Sequence, residues 1–141
     1  MANEAIKVEL TNEDGFPRRY TVASQVAISK GTLLRLVDSR TASGVITTIC
    51  PCAGIALMQK EANDFSTSIS VWTDGVFEMV ASSAIVIGSP VACSALANKI
   101  WTPSGKGTAS GAQIIGYALE AAAGTGDDFQ VMLNINGGAI A

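Results

Sequence analysis

The chain has 141 residues, of which 48% are hydrophobic and 15% charged, with nine basic and twelve acidic side chains and no histidine. It is long enough to bury about two thirds of its unfolded surface, yet so little charge leaves it short of polar cover and points to burial in an oligomer or larger assembly. The net charge of −3 and the scattered basic residues exclude a phosphate-neutralising nucleic-acid binder, and the lack of histidine removes the commonest general base and most zinc sites.

Residues 1–20 read as an N-terminal arm and residues 21–141 as one β domain. The start, Met1 to Glu4, has neither a basic n-region nor an apolar h-region, so folding in the cytoplasm is expected rather than Sec export. In the arm, Ile6, Val8 and Leu10 alternate with Lys7, Glu9 and Thr11, the period-2 pattern of a strand with one apolar face. Asp14-Gly15 follows as hairpin-turn chemistry, with Phe16 just beyond. Two readings stay open for this stretch: an edge strand of its own domain, or an arm that adds its strand to a sheet edge on a partner.

The domain speaks one phrase twice. Gly54-Ile55-Ala56-Leu57 returns as Gly116-Tyr117-Ala118-Leu119. Upstream, Val22-Ala23-Ser24 precedes Ile28 and Gly31, as Val80-Ala81-Ser82 precedes Ile85 and Gly88. The shared order predicts a duplicated β unit, with pseudo-repeats over about residues 20–79 and 80–135. In the first, strands are expected at Thr32–Leu36 and Val45–Ile49, then at Ile55–Ala62, whose Ala, Leu, Met, Gln and Lys also favour helix. Ser66 to Val71 alternates cleanly, and Thr73-Asp74-Gly75 reads as a turn before Val76–Met79. In the second, Val91–Ser94 and Ile100–Thr102 should pair across Ala97–Lys99, residues 103–111 form a glycine-rich loop, Ile114–Leu119 and Phe129–Leu133 close the domain, and 136–141 is a tail.

Candidate chemistry is sparse. Cys50, Cys52 and Cys93 are odd in number, and Cys50-Pro51-Cys52 lacks the C-x-x-C spacing of redox and zinc motifs, so they read as small apolar core residues. Asp127-Asp128, Glu61 with Asp64, and Glu13-Asp14 fall beside turns, where solvated acids belong. Ser104 to Thr108 is a glycine-rich surface loop, because Ile100 and Gly107 stand where a phosphate loop needs Gly and Ser or Thr. Trp72 and Trp101 lie in β-like runs and read as large anchors of a core or a subunit interface. The stretch Val80 to Ala97 is broken by Ser82, Ser83, Gly88, Ser89, Pro90 and Ser94, so no spanning helix is expected. No enzyme activity, cofactor, metal, nucleic acid or membrane partner is expected.

The order Gly31-Thr-Leu-Leu, Gly54-Ile-Ala-Leu, Val71 with Asp74-Gly75-Val76-Phe77, Ile87-Gly88-Ser-Pro-Val and Ile115-Gly116-Tyr-Ala-Leu resembles the tailed-bacteriophage head decoration proteins, small capsid cement proteins related to the lambda head stabiliser. The likeness covers about residues 22–135. It implies a compact, mainly β barrel or tulip-like domain that binds the major capsid protein as homotrimers on the outer surface of the expanded head and holds the virion shell against packaged DNA. It also implies an N-terminal segment that orders on the capsid by strand addition, a role that falls here on Ile6, Val8, Leu10 and Phe16, with Trp72 and Trp101 as candidate trimer contacts. The charge-mixed arm through Arg19 departs from the family pattern and leaves open whether it reaches the capsid or folds back on its own barrel. Two alternatives remain: a phage tail or receptor-binding β module, and a small trimeric ligand-binding barrel.

Overall fold

The computed structural model describes residues 4–10, 17–44, 51–94, 98–102 and 114–135. Every regular element among them is a strand: β1 (Ile6–Glu9), β2 (Arg18–Thr21), β3 (Leu33–Asp38), β4 (Thr41–Ser43), β5 (Cys52–Ala56), β6 (Ser68–Trp72), β7 (Asp74–Ala81), β8 (Pro90–Cys93), β9 (Lys99–Trp101), β10 (Gly116–Ala118) and β11 (Asp128–Asn134). Strands β2-β4-β3-β5-β6 close one five-stranded barrel, and β7-β11-β10-β8-β9 close a second through the β7–β9 pairing. Strand β1 adds to the second barrel, antiparallel to β7. The mainly β, single-domain barrel reading holds, in the particular form of two barrels. Closure leaves little free edge on the barrel strands.

The two barrels repeat one connectivity. Strands β2 and β4 pair in parallel, as do β7 and β9, and every other pairing is antiparallel in both. The row Leu33↔Ile55↔Trp72 across β3, β5 and β6 matches Pro90↔Tyr117↔Met132 across β8, β10 and β11. Isolated bridges also correspond, Ile28↔Lys60 and Ile85↔Ala122. The recurrent glycines have a packing cause: a Cβ on Gly54 would lie 2.5 Å from the Trp72 carbonyl oxygen, and one on Gly116 would collide with that of Met132. Hydrogen bonding sets the upstream register one residue away from the sequence phrase. Val22 N donates to Thr67 O and Ala81 N to Asp127 O, so Val22 corresponds to Ala81 rather than to Val80.

Inside the first barrel lie Val22, Ile28, Leu34, Ala42, Ala53, Ala56, Ile69 and Val71. The second holds bulkier groups, among them Phe77, Met79, Ile100, Phe129 and Leu133. Leu33, Ile55 and Trp72 belong to that second cluster, so the outer face of the first barrel packs against the end of the second. The Trp72 and Phe77 rings are 5.5 Å apart there. Asn98, at the β8–β9 turn, locks the junction: its Oδ1 accepts from Leu33 N at 2.6 Å and its Nδ2 donates to Gly31 O at 3.0 Å.

Several expectations change. Thr73-Asp74-Gly75 is not a turn; the chain passes from β6 into β7 through buried Thr73, whose carbonyl accepts from Ile135 N. Gly75, at φ +127°, serves a close approach instead, since a Cβ there would lie 2.8 Å from Glu9 O of β1. The barrels therefore run from Arg18 to Trp72 and from Asp74 to Asn134, which gives Val76–Met79 to the second unit and Arg18 to Tyr20 to the first barrel rather than the arm. Strand β5 ends at Ala56 and β10 at Ala118, shorter than expected. The β8–β9 hairpin forms as expected, with Ala92↔Trp101 and Cys93↔Ile100. The expected strand Val45–Ile49, the Asp14-Gly15 turn, Phe16, Cys50, the loop 103–111 and the tail 136–141 lie outside the described residues.

Candidate functional site

The N-terminal strand carries the first candidate surface. Ala5 is buried and its N–H donates to Gly31 O at 2.8 Å, while Leu10 packs against the larger core. Between these anchors Ile6, Lys7, Val8 and Glu9 are all exposed, Ile6 at 59%. The pairs are Ile6↔Glu78, Lys7↔Phe77 and Glu9↔Val76, with Val8 in the irregularity between the last two. Strand β1 ends its sheet, so one of its sides has no strand partner among the described residues. An open cleft of about 320 Å³, lined by Ala5, Ile6, Lys7, Lys30 and Trp72, runs beside it. Of the arm residues singled out in the sequence, Ile6 and Val8 are thus presented outward, whereas Leu10 is an anchor.

A second surface was not singled out in the sequence. Val86 and Ile87, in the loop before β8, are 70% and 64% exposed, and Tyr117 of β10 is 46% exposed. Gly88 N donates to Ala118 O and Ser89 N to Val86 O, which holds this loop against β10. Pro90, the neighbour of Tyr117 in register, is exposed as well. Four apolar side chains therefore share one outward face of the second barrel, a larger grouping than isolated surface apolars require.

The polar groups are tied to turns. Asp127 Oδ2 accepts from Ala123 N, Glu120 Oε1 from Gln130 N and Asp38 Oδ1 from Ser39 N. Lys60 is 2% exposed and its Nζ donates to Ser24 O at 3.1 Å and Val26 O at 2.8 Å, with Asp64 Oδ1 at 3.7 Å. The sequence signal for this lysine was weak, because it sits in an apolar-rich run that also suits helix. Asp64 accepts from Ser66 N and Glu61 N; the Ser66 bond first, joined by that of Glu61 and the Lys60 charge, holds its carboxyl below the ordinary 3.8 against the opposing effect of desolvation. A depressed folded-state pKa contributes stability that is full above the unfolded value and is lost as pH falls through the folded one. An acid titration of the unfolding midpoint should accordingly fall below about pH 4, less steeply in Asp64→Asn; identical slopes would show that Asp64 has no part in it. Among the described residues no group of three or more His, Cys, Asp or Glu side chains could hold a metal, and no helix is long and apolar enough to cross a membrane.

The tryptophans separate. Trp72 is 7% exposed within the single chain, which makes it a core anchor at the barrel junction rather than a surface for a second copy. Trp101 is half-buried and its Nε1 donates to Cys93 O at 2.8 Å. Cys52 and Cys93 are buried, in keeping with small core residues.

Among the described residues the double barrel turns the β1 edge and the apolar side chains around Tyr117 outward, both suited to contact with other proteins. Comparison with known proteins agrees with that character. The solved structure of the N base of the head fiber protein gp8.5 of bacteriophage phi29 is similar in fold, with a TM-score of 0.52 and 15% identity over 85% of this chain and 94% of that one. No curated protein matches the sequence significantly. Residues 13–133, which span both barrels, match the family model of phage cement proteins. With most of its length accounted for by that model, the chain belongs to the phage cement protein family.

Proposed function

We propose that this protein decorates the outside of the expanded phage head, binding the major capsid protein as trimers and stabilising the shell against the pressure of packaged DNA. Family membership makes it a capsid-associated virion protein, and that match is the observation that carries the reading. The double barrel supports it, because closed barrels resist edge-to-edge aggregation and β1, at the end of its sheet, has a side to offer. The free side of β1 pairs with an extended capsid segment by strand addition, main-chain hydrogen bonds giving affinity and the exposed Ile6 and Val8 giving register. Multiplied over many sites on one head, modest affinity per contact suffices. The role is structural, with no catalytic step.

Co-sedimentation of the purified protein with expanded heads lacking it, beside unexpanded proheads, tests the reading. Saturable binding in multiples of three to expanded heads alone is expected; binding to neither form would discard it in favour of a tail or receptor-binding module. Val8→Pro tests the strand. Val8 has no Cα partner on β7, so proline there removes a main-chain donor and should weaken head binding about tenfold or more while changing the stability of the free protein by less than about 0.5 kcal/mol. An equal loss in both would defeat strand addition by β1.

A further inference from the structure

Two equivalent faces of this molecule meet opposite fates. In the first barrel the row Leu33, Ile55 and Trp72 points outward and is covered by the end of the second barrel, with Asn98 at the β8–β9 turn bonded into it. In the second barrel the corresponding row, Pro90, Tyr117 and Met132, has no second barrel packed on it among the described residues; Tyr117 and Pro90 are exposed, Met132 is half-buried, and exposed Ile87 precedes Gly88, whose N donates to Ala118 O. In the first barrel the end equivalent to the one by which the second barrel docks presents exposed side chains among the described residues. That end carries Arg18 where the second barrel has Phe77, as the β2–β6 and β7–β11 registers show, and Arg40 where it has Asn98. Arg40 and Asn98 are both turn residues at positive φ, 45° and 55°.

We propose that the Ile87–Tyr117 face of the second barrel receives the arginine-bearing end of the first barrel of another copy of this chain, repeating between molecules the junction made within one. Charge supports this occupant: residues 17–73 carry six basic and three acidic side chains, residues 74–141 two basic and five acidic, so head-to-tail contact sets a basic unit on an acidic one. Arg40 is already arranged for it, with Nη2 on Arg19 O at 2.6 Å and the guanidinium 5.4 Å from the Tyr20 ring. The contact is heterologous, and heterologous contacts close into rings when the rotation permits, which rests on and sharpens the trimer reading above.

The test is sedimentation equilibrium of the full chain, of Ile87→Lys, of Arg40→Glu, and of the two variants mixed, with circular dichroism to confirm folding. Both substituted positions are exposed, so the barrels should be retained. The parent protein is expected to self-associate, each variant about tenfold or more weakly, and the mixture to regain a one-to-one dimer because each variant keeps the surface the other lacks. A parent protein monomeric at about 0.1 mM, where even a Kd on the order of 10 μM would be evident, overturns the proposal, as does an Ile87→Lys variant that associates like the parent or a mixture that recovers nothing. Head binding is scored separately. Binding in threes with Ile87→Lys unimpaired in association leaves decoration standing and this interface refuted; a monomeric parent with head binding lost in Ile87→Lys assigns the face to the shell instead. Self-association through this face without head binding upholds the contact and refutes decoration.

Discussion

An Asn98→Ala variant is expected to unfold about 9–15 °C below the parent protein, a loss of about 3–5 kcal/mol. The side chain is 2% exposed and spans the barrel junction, accepting from Leu33 N and donating to Gly31 O. Alanine leaves the buried Leu33 N–H without this acceptor, at about 1–3 kcal/mol, and takes one of two donors from Gly31 O, which keeps Ala5 N, at about 0.5–1.5 kcal/mol. It also sits at φ 55°, a conformation asparagine tolerates and alanine resists by about 1–2 kcal/mol. Glycine separates the two effects. Asn98→Gly adopts that φ freely while losing the same bonds, so it should be the less damaged of the pair; Asn98→Asp keeps the acceptor for Leu33 N but turns a carboxylate oxygen toward the Gly31 carbonyl. Thermal unfolding of the three variants measures the series. An Asn98→Ala midpoint within about 2 °C of the parent would mean that the junction is held by its apolar contacts alone.

The strands were legible in the sequence where one face is buried and the other is not. Strand β11 alternates buried and exposed from Asp128 to Asn134, and the β8–β9 hairpin follows from the polar turn between two apolar runs. The repeated Gly54 and Gly116 were legible because each must sit against a neighbouring carbonyl that no side chain would admit. What could not be read is which outward residues a second barrel would cover. Ile55 and Tyr117 hold the same register position, yet Ile55 is fully buried and Tyr117 half exposed, a difference decided by tertiary packing rather than by local pattern. For the same reason Trp72 looked available for a partner and is a core residue, while Ile87 looked like part of a motif and is surface. Asp74-Gly75 misled because the dipeptide that favours a hairpin turn here makes room for β1 instead. Alternation marked the strand at Ile6–Glu9 but not that both of its faces are exposed, and Arg18–Tyr20 were lost to the arm because mixed charge hid a short strand.

Lys60→Met is expected to be nearly as costly as the asparagine change, at about 2–4 kcal/mol, because hydrogen bonds to a charged donor are worth about 1.5–3 kcal/mol each and those to Ser24 O and Val26 O are lost with a longer one to Glu61 O. The ammonium ties Ser24 and Val26 carbonyls of the loop between β2 and Ile28 to the segment after β5, closing one end of the first barrel. Methionine keeps most of the stem's packing and removes only the donor, so the loss reads the polar contacts rather than a cavity. Removing a buried charge also relieves its desolvation, which acts against the loss and sets the lower end of the range. The second barrel supplies the internal comparison: Ala122 takes the position of Lys60 in the matching bridge with Ile85. Chemical denaturation of Lys60→Met gives the magnitude, and amide exchange over residues 23–28 locates it. A variant within about 0.5 kcal/mol of the parent, with exchange unchanged in that loop, would show that the first barrel closes without its lysine.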